Sequence, residues 1–236
     1  MRPFLFFATA IALSAAEPQR FACGPARVSL VELYTSEGCS SCPPAEKWLG
    51  SLRDDAGLWK TFVPVAFHVD YWNQLGWPDR FSSKANTQRE YAYAEAWGSG
   101  NVYTPCFVRD GAEWHAGGGK ISVAGGAPAG ALAASYDGAV LRAEFAPAAP
   151  HAGDTFEIHA ALLGGGIVSK VTAGENSGET LRHEFIALAL VQGAPGADLA
   201  LATPKIAGIS RRALAVWVTR RGEVSPLQAT GGWLAP

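Results

Sequence analysis

Residues 28–44 read VSLVELYTSEGCSSCPP. The first seven are almost continuously apolar and include β-branched residues, the pattern of a strand covered on both faces. Cys39 and Cys42 follow a short polar turn. Pro43 and Pro44 then stand where the first turn of a helix tolerates proline, because its N–H groups lack intrahelical partners. A cysteine pair between a buried strand and a helix start is placed for thiol–disulfide chemistry. Free N–H groups and the partial positive charge of the helix end both favour a thiolate there. No second C-x-x-C and no spaced histidine pair supplies the other half of a four-ligand zinc site. Redox chemistry is the favoured reading, with a structural pair and a metal-binding pair as alternatives.

Outward from this motif, residues 44–52 read as a helix and 61–71 as a second, mostly apolar strand. Residues 82–97 read as a second helix, with Gly98 as its left-handed stop. Asp110-Gly111, between residues 106–109 and 113–116, is a two-residue hairpin signal. An Ala-rich helix is expected over 127–136. From about residue 139 the texture changes to short alternating runs at 139–145, 155–163, 184–192, 213–219 and 224–230. Gly- and Pro-rich clusters separate them, which reads as an all-β sandwich of about a hundred residues. The expected fold class is therefore an α/β thioredoxin-like domain followed by an all-β sandwich-like domain, with boundaries at 24–137 and 138–236. No internal repeat is evident.

The chain has 236 residues, of which 48% are apolar and 17% charged, so it is long enough and apolar enough for an ordered core. A formal net charge of -2, with no basic stripe, gives no reason to expect nucleic-acid binding. Residues 1–16 carry a basic start, a short apolar run and small residues at Ser14 and Ala16. They are expected to be a cleavable secretory signal peptide, leaving no stable membrane insertion. The expected location is periplasmic or secreted, where disulfides persist. Arg20 occupies the position three before Cys23 where a lipoprotein signal needs an aliphatic residue, which disfavours that alternative.

The segments VELYTSEGCSSCPPAEKWL, FHVDYWNQLGWPDRFSS, NVYTPCFVRDG and GENSGETLRH occur in this order across most of the mature chain. Through them the chain resembles a secreted bacterial family of unknown function with a thioredoxin-like domain. The resemblance implies that fold and a redox pair. In thioredoxin-like proteins the proline of a segment such as Tyr103-Thr104-Pro105 is cis and lies beside the active cysteines. Cys106 departs from the pattern, in which a non-cysteine residue usually follows the Thr-Pro pair.

The site expected on these grounds has Cys39 as the exposed nucleophile and Cys42 as the buried resolving thiol. Glu32, inside the apolar strand, is a candidate proton relay, because a buried carboxylate needs a partner or a proton. Thr104 and Pro105 would form a shelf for an extended substrate. Trp72 and Trp77, in an aromatic-rich segment, would contact the substrate or simply pack. His68 and Asp70, two apart on a strand, are expected to be a structural pair. Cys23 and Cys106 either pair or leave Cys106 free and buried. The function expected is thiol–disulfide exchange on exported protein or peptide thiols with an unknown redox partner. It needs no cofactor, since the cysteines carry the electrons. The alternatives are a non-catalytic binding module and a Cu(I) protein using Cys39, Cys42 and His68.

Overall fold

The structure is a computed structural model that describes residues 17–115, 121, 125, 127–150 and 153–235. The expected signal peptide, residues 1–16, lies outside the described residues. In chain order the elements are β1 (Gln19–Cys23), β2 (Ser29–Thr35), α1 (Pro43–Ser51), β3 (Phe62–His68), α2 (Lys84–Ala96), β4 (Cys106–Arg109) and β5 (Ala112–Glu113). Then follow β6 (Gly130–Tyr136), β7 (Val140–Pro147), β8 (Phe156–Gly165), β9 (Ile167–Lys170) and β10 (Thr180–His183). The chain closes with β11 (Ile186–Gly193), β12 (Leu199–Ala200), β13 (Arg211–Arg220) and β14 (Pro226–Trp233).

Fourteen strands against two α-helices among the described residues make this a sheet-rich fold. That overturns the expected α/β thioredoxin-like domain with a separate β sandwich behind it. The physical reason lies at one strand edge. The edge of β3 pairs in parallel with β11 through Ile186 and Ala66, reinforced by the Ala66 N–H donating to the Phe185 carbonyl at 2.8 Å. One eight-stranded sheet therefore runs β14-β13-β8-β11-β3-β2-β4-β5 through both halves of the chain. The expected boundary at 137/138 falls between β6 and β7, which pair antiparallel with Tyr136 opposite Leu141. The stretch expected to be an Ala-rich helix is β6 itself.

Local signals near the cysteines fare better. Every residue of β2 is buried, as a strand covered on both faces requires. Its two faces part company. Leu33 and Thr35 share the α1 side, where Phe107, opposite Leu33, packs on Trp48 with ring centroids 5.1 Å apart. Glu32 and Tyr34 face α2, where Tyr34 meets Tyr93 at 6.3 Å. The Ser83 side chain caps α2 by accepting from the Asn86 N–H, and Gly98 stops it at φ +67°. Asp110 (φ +52°) and Gly111 (φ +87°) form the expected hairpin turn between β4 and β5, since both central positions of a type I′ turn need positive φ.

Strand β13 shows why the long sheet is buried on both sides. Leu214, Val216 and Val218 face a second layer, the four-stranded sheet β1-β6-β7-β12, through Leu132, Tyr136 and Leu141. Ala213, Ala215 and Trp217 face the core shared with β2 and β3. The small β9–β10 hairpin stands apart from both sheets and packs on α1. No helix among the described residues is long and apolar enough to cross a membrane.

Candidate functional site

Cys39 and Cys42 form a disulfide, with Cα atoms 5.4 Å apart, between the end of β2 and the start of α1. Both residues are fully buried, at 0% exposure. The expectation of an exposed Cys39 sulfur is therefore corrected: its neighbours Ser40 and Ser41 are exposed, but Cys39 is covered. The segment between β9 and β10 bonds to the backbone around it. Asn176 Nδ2 donates to the carbonyls of Glu37 (2.9 Å) and Cys39 (3.0 Å). Glu175 accepts from Ser40 N (3.1 Å) and Ser40 Oγ (2.7 Å), which lowers its own pKa.

The helix start differs from the expectation too. Pro43 and Pro44 have no N–H, and the Ala45 and Glu46 N–H groups both donate to the Cys42 carbonyl, at 3.0 and 3.1 Å. No backbone donor of that first turn is left for a thiolate. Only the partial charge of the helix end remains.

Glu32 bonds neither Cys39 nor Cys42. It accepts two bonds from Arg89, at 2.7 and 3.1 Å, and one each from Tyr34 (3.0 Å) and Tyr93 (2.5 Å). Being on the α2 face of β2, it cannot serve as the proton relay. Two other carboxylates flank the disulfide motif instead. Glu46, on α1, accepts from Thr35 Oγ1 at 2.7 Å and bonds His183 Nδ1. Glu37 faces His183 Nε2 at 3.1 Å and accepts from Trp77 Nε1 at 2.8 Å. His68 is bound through Nδ1 to Asp79 at 2.6 Å, not to Asp70, which accepts from Thr87 Oγ1 at 2.6 Å.

This buried cluster has strongly perturbed protonation. Burial opposes the charge on His183, but Glu46 and Glu37 outweigh it and raise its pKa to about 10. Burial likewise opposes the charges of Asp79 and His68. Their mutual attraction prevails, holding Asp79 down at about 2 and raising His68. Glu46 and Glu37 are lowered against the same burial penalty, chiefly through His183.

The expected substrate shelf lies beside the motif. The Thr104–Pro105 peptide bond is cis, as the resemblance implies. Thr104 Oγ1 accepts from Trp72 Nε1 at 2.8 Å, so Trp72 braces the shelf, while Trp77 braces Glu37. Ser41, Trp48, Tyr103, Pro105 and Trp114 line an open cavity of about 500 Å³ next to the disulfide. Cys23 and Cys106 are both free. Burial pushes the Cys106 thiol up to about 12, which leaves it unreactive. Cys39 and Cys42 bond each other in the disulfide, and His68 gathers with Glu46 and His183.

Sequence reasoning missed Glu37, Glu46, Asp79, Glu175, Asn176 and His183. The signal is present in the segments TSEGC, PPAEKWL, WPDRFSS and GENSGETLRH, to whose acidic, amide and histidine side chains the sequence reading assigns no role.

No curated protein matches the chain. Among solved structures it is similar to protein AGR_C_4864 from Agrobacterium tumefaciens, at 22% identity and a TM-score of 0.57, covering 89% of this chain and 94% of that one. It is also similar to HBP35 of Porphyromonas gingivalis, at 14% identity and a TM-score of 0.53, covering 89% of this chain and 76% of that one. Likeness at these identities shows the fold alone. A family model described as "Protein of unknown function (DUF1223)" matches residues 30–219, which is most of the chain. The chain belongs to the DUF1223 family, whose function is unknown.

Proposed function

We propose that the protein performs thiol–disulfide exchange on exported protein or peptide thiols through Cys39 and Cys42. The observation that carries this reading is a formed disulfide beside an open, aromatic-lined cavity that holds Ser41 and Pro105. A substrate thiolate attacks the Cys39 sulfur, the Cys39–Cys42 bond breaks, and Cys42 leaves as the thiolate. A second substrate thiolate then attacks the mixed disulfide and releases Cys39. Two electrons pass from the substrate dithiol to the protein pair, and an exported redox partner takes them up again.

Because Cys39 is covered, exchange requires the Glu175–Asn176 segment to lift. Each of its hydrogen bonds contributes about 1 kcal/mol. Asn176→Ala removes two, so it is expected to raise the rate at which dithiothreitol reduces the disulfide by roughly tenfold to thirtyfold. Stopped-flow reduction of wild type and variant measures this directly. An unchanged rate would show that the segment is not the cover.

A structural disulfide in a non-catalytic module is the second reading, favoured by the complete burial of both cysteines. Trapping separates the two. Cys42→Ser, expressed in a host that exports the chain, is expected to hold a partner on Cys39 as a mixed disulfide visible on a non-reducing gel. A folded, exported trap that captures nothing, with Cys39 alkylating no faster than Cys106, would remove exchange and leave the structural reading.

A further inference from the structure

We propose that Glu46, His68 and His183 form a site for one divalent cation of the zinc class. The three residues come from α1, the end of β3 and the end of β10, and each offers a ligand atom within 4.8 Å of the others. Tetrahedral zinc bonds of about 2.0–2.1 Å place ligand atoms about 3.4 Å apart. A modest contraction closes the cluster on an ion.

The far side of each ring carries the stronger argument. His68 is held through Nδ1 by Asp79 at 2.6 Å, and His183 through Nε2 by Glu37 at 3.1 Å. A carboxylate on the outer nitrogen is the arrangement that orients metal-bound histidines and raises their basicity. The inner nitrogens are thereby left for the centre of the cluster. His183 Nδ1 bonds Glu46. His68 Nε2, in a residue with 0% exposure, has no hydrogen-bond partner among the described residues. An orphaned buried ring nitrogen is costly, and a cation would satisfy it. Thr35 Oγ1 occupies Glu46 Oε1 at 2.7 Å, which orients that carboxylate.

The surroundings select the ion. Three carboxylates (Glu37, Glu46 and Asp79) outnumber the two imidazoles, so the cluster is a net attractor of positive charge. Two nitrogens and one oxygen suit zinc and its neighbours better than calcium or magnesium, which prefer all-oxygen shells. Phe81 packs edge-on against both rings, with centroids 5.5 Å from His68 and 5.8 Å from His183, and helps keep water out. Binding exchanges the ring protons for the ion and involves no change of oxidation state. The ion would tie the β9–β10 hairpin to α1 and β3.

The test uses the mature chain with its disulfide intact, so that Cys39 and Cys42 cannot ligate. Zinc titrated against a chelator is expected to bind one equivalent. Co(II) is expected to give visible d–d bands without the near-ultraviolet thiolate charge-transfer band. His68→Gln and His183→Gln are each expected to weaken zinc binding by at least about a hundredfold, and Asp79→Asn by about 10–100-fold. Near-ultraviolet circular dichroism checks that each variant folds. Should the histidine variants not fold, the wild-type Co(II) spectrum decides alone. A wild type that takes up no stoichiometric zinc, a Co(II) spectrum showing thiolate, or wild-type affinity in folded His68→Gln would each overturn the site. None of these readouts depends on redox activity, so the two proposals stand or fall separately.

Discussion

Arg89→Met is expected to lower folding stability by about 3–5 kcal/mol, the usual cost of stranding one member of a buried ion pair. Arg89 grips Glu32 with two nitrogens, Nε at 2.7 Å and a terminal nitrogen at 3.1 Å. Its guanidinium also lies 4.9 Å from the Trp217 ring centroid and 5.2 Å from that of Tyr93. The residue therefore links α2 to both β2 and β13, elements that belong to opposite halves of the sequence. Methionine fills the space without the charge, and Glu32 is left with only the Tyr34 and Tyr93 hydroxyls. The partner substitution separates charge from packing. Glu32→Leu combined with Arg89→Met removes both charges, and a hydrophobic replacement of a buried pair is often neutral. The double variant should thus recover most of the loss, and urea unfolding of the three variants completes the cycle. A single variant within about 1 kcal/mol of wild type would mean that the pair contributes little. Reduction of the disulfide by dithiothreitol should not change, because Glu32 faces α2 whereas the cysteines lie beyond the end of β2, at the start of α1.

What the sequence reveals about this fold is local. The seven buried residues of β2, the cap at Ser83, the stop at Gly98 and the Asp110-Gly111 turn are each specified within a few neighbouring residues, and each could be read. The parallel joint of β3 with β11 could not. It consists of one ladder pair, Ala66 with Ile186, that no short-range pattern encodes. Without that pair, the strands of the two halves read as separate sheets rather than as one. Strand β6 was hidden differently. Its burial alternates, with Gly130, Leu132, Ala134 and Tyr136 inside, but Ala-rich composition favours a helix when read alone. The candidate site divides along the same line. Cys39, Cys42, Thr104 and Pro105 come from compact motifs. His183 enters from β10, a short strand between glycine-rich stretches that resembled turns, more than a hundred residues from Glu46. Glu32 shows the opposite error: a buried acid in the right strand, aimed at the wrong face.

Glu90→Gln is expected to stabilise the protein at pH 8 by about 3 kcal/mol and to do little at pH 4.5. Burial of Glu90, only 3% exposed, raises its pKa from the ordinary 4.5 to about 7. The bond from Tyr71 Oη, at 3.2 Å, and the Tyr103 backbone only partly offset that effect. The sign follows from proton counting. Between the two pKa values the folded chain holds a proton on Glu90 that the unfolded chain has released, so stability falls as pH rises through this window. Below the unfolded value both states are protonated and the penalty vanishes. Glutamine stays neutral at every pH, and its amide oxygen still accepts from Tyr71. Other buried groups titrate over the same range, so the informative quantity is the difference between wild-type and variant unfolding free energies, followed from pH 4.5 to 8. A difference that grows with pH supports a protonated Glu90 beside the Thr104–Pro105 shelf, whereas parallel curves would show that its carboxylate ionises normally. The location gives the result a further use. Glu90 also acts on the Cys106 thiol by like-charge repulsion, and the two groups sit on the α2 side of the sheet, as does the Tyr34 ring. With the charge removed, the Cys106 thiol should ionise at lower pH than in the wild type, which pH-dependent alkylation of the denaturant-free protein would detect.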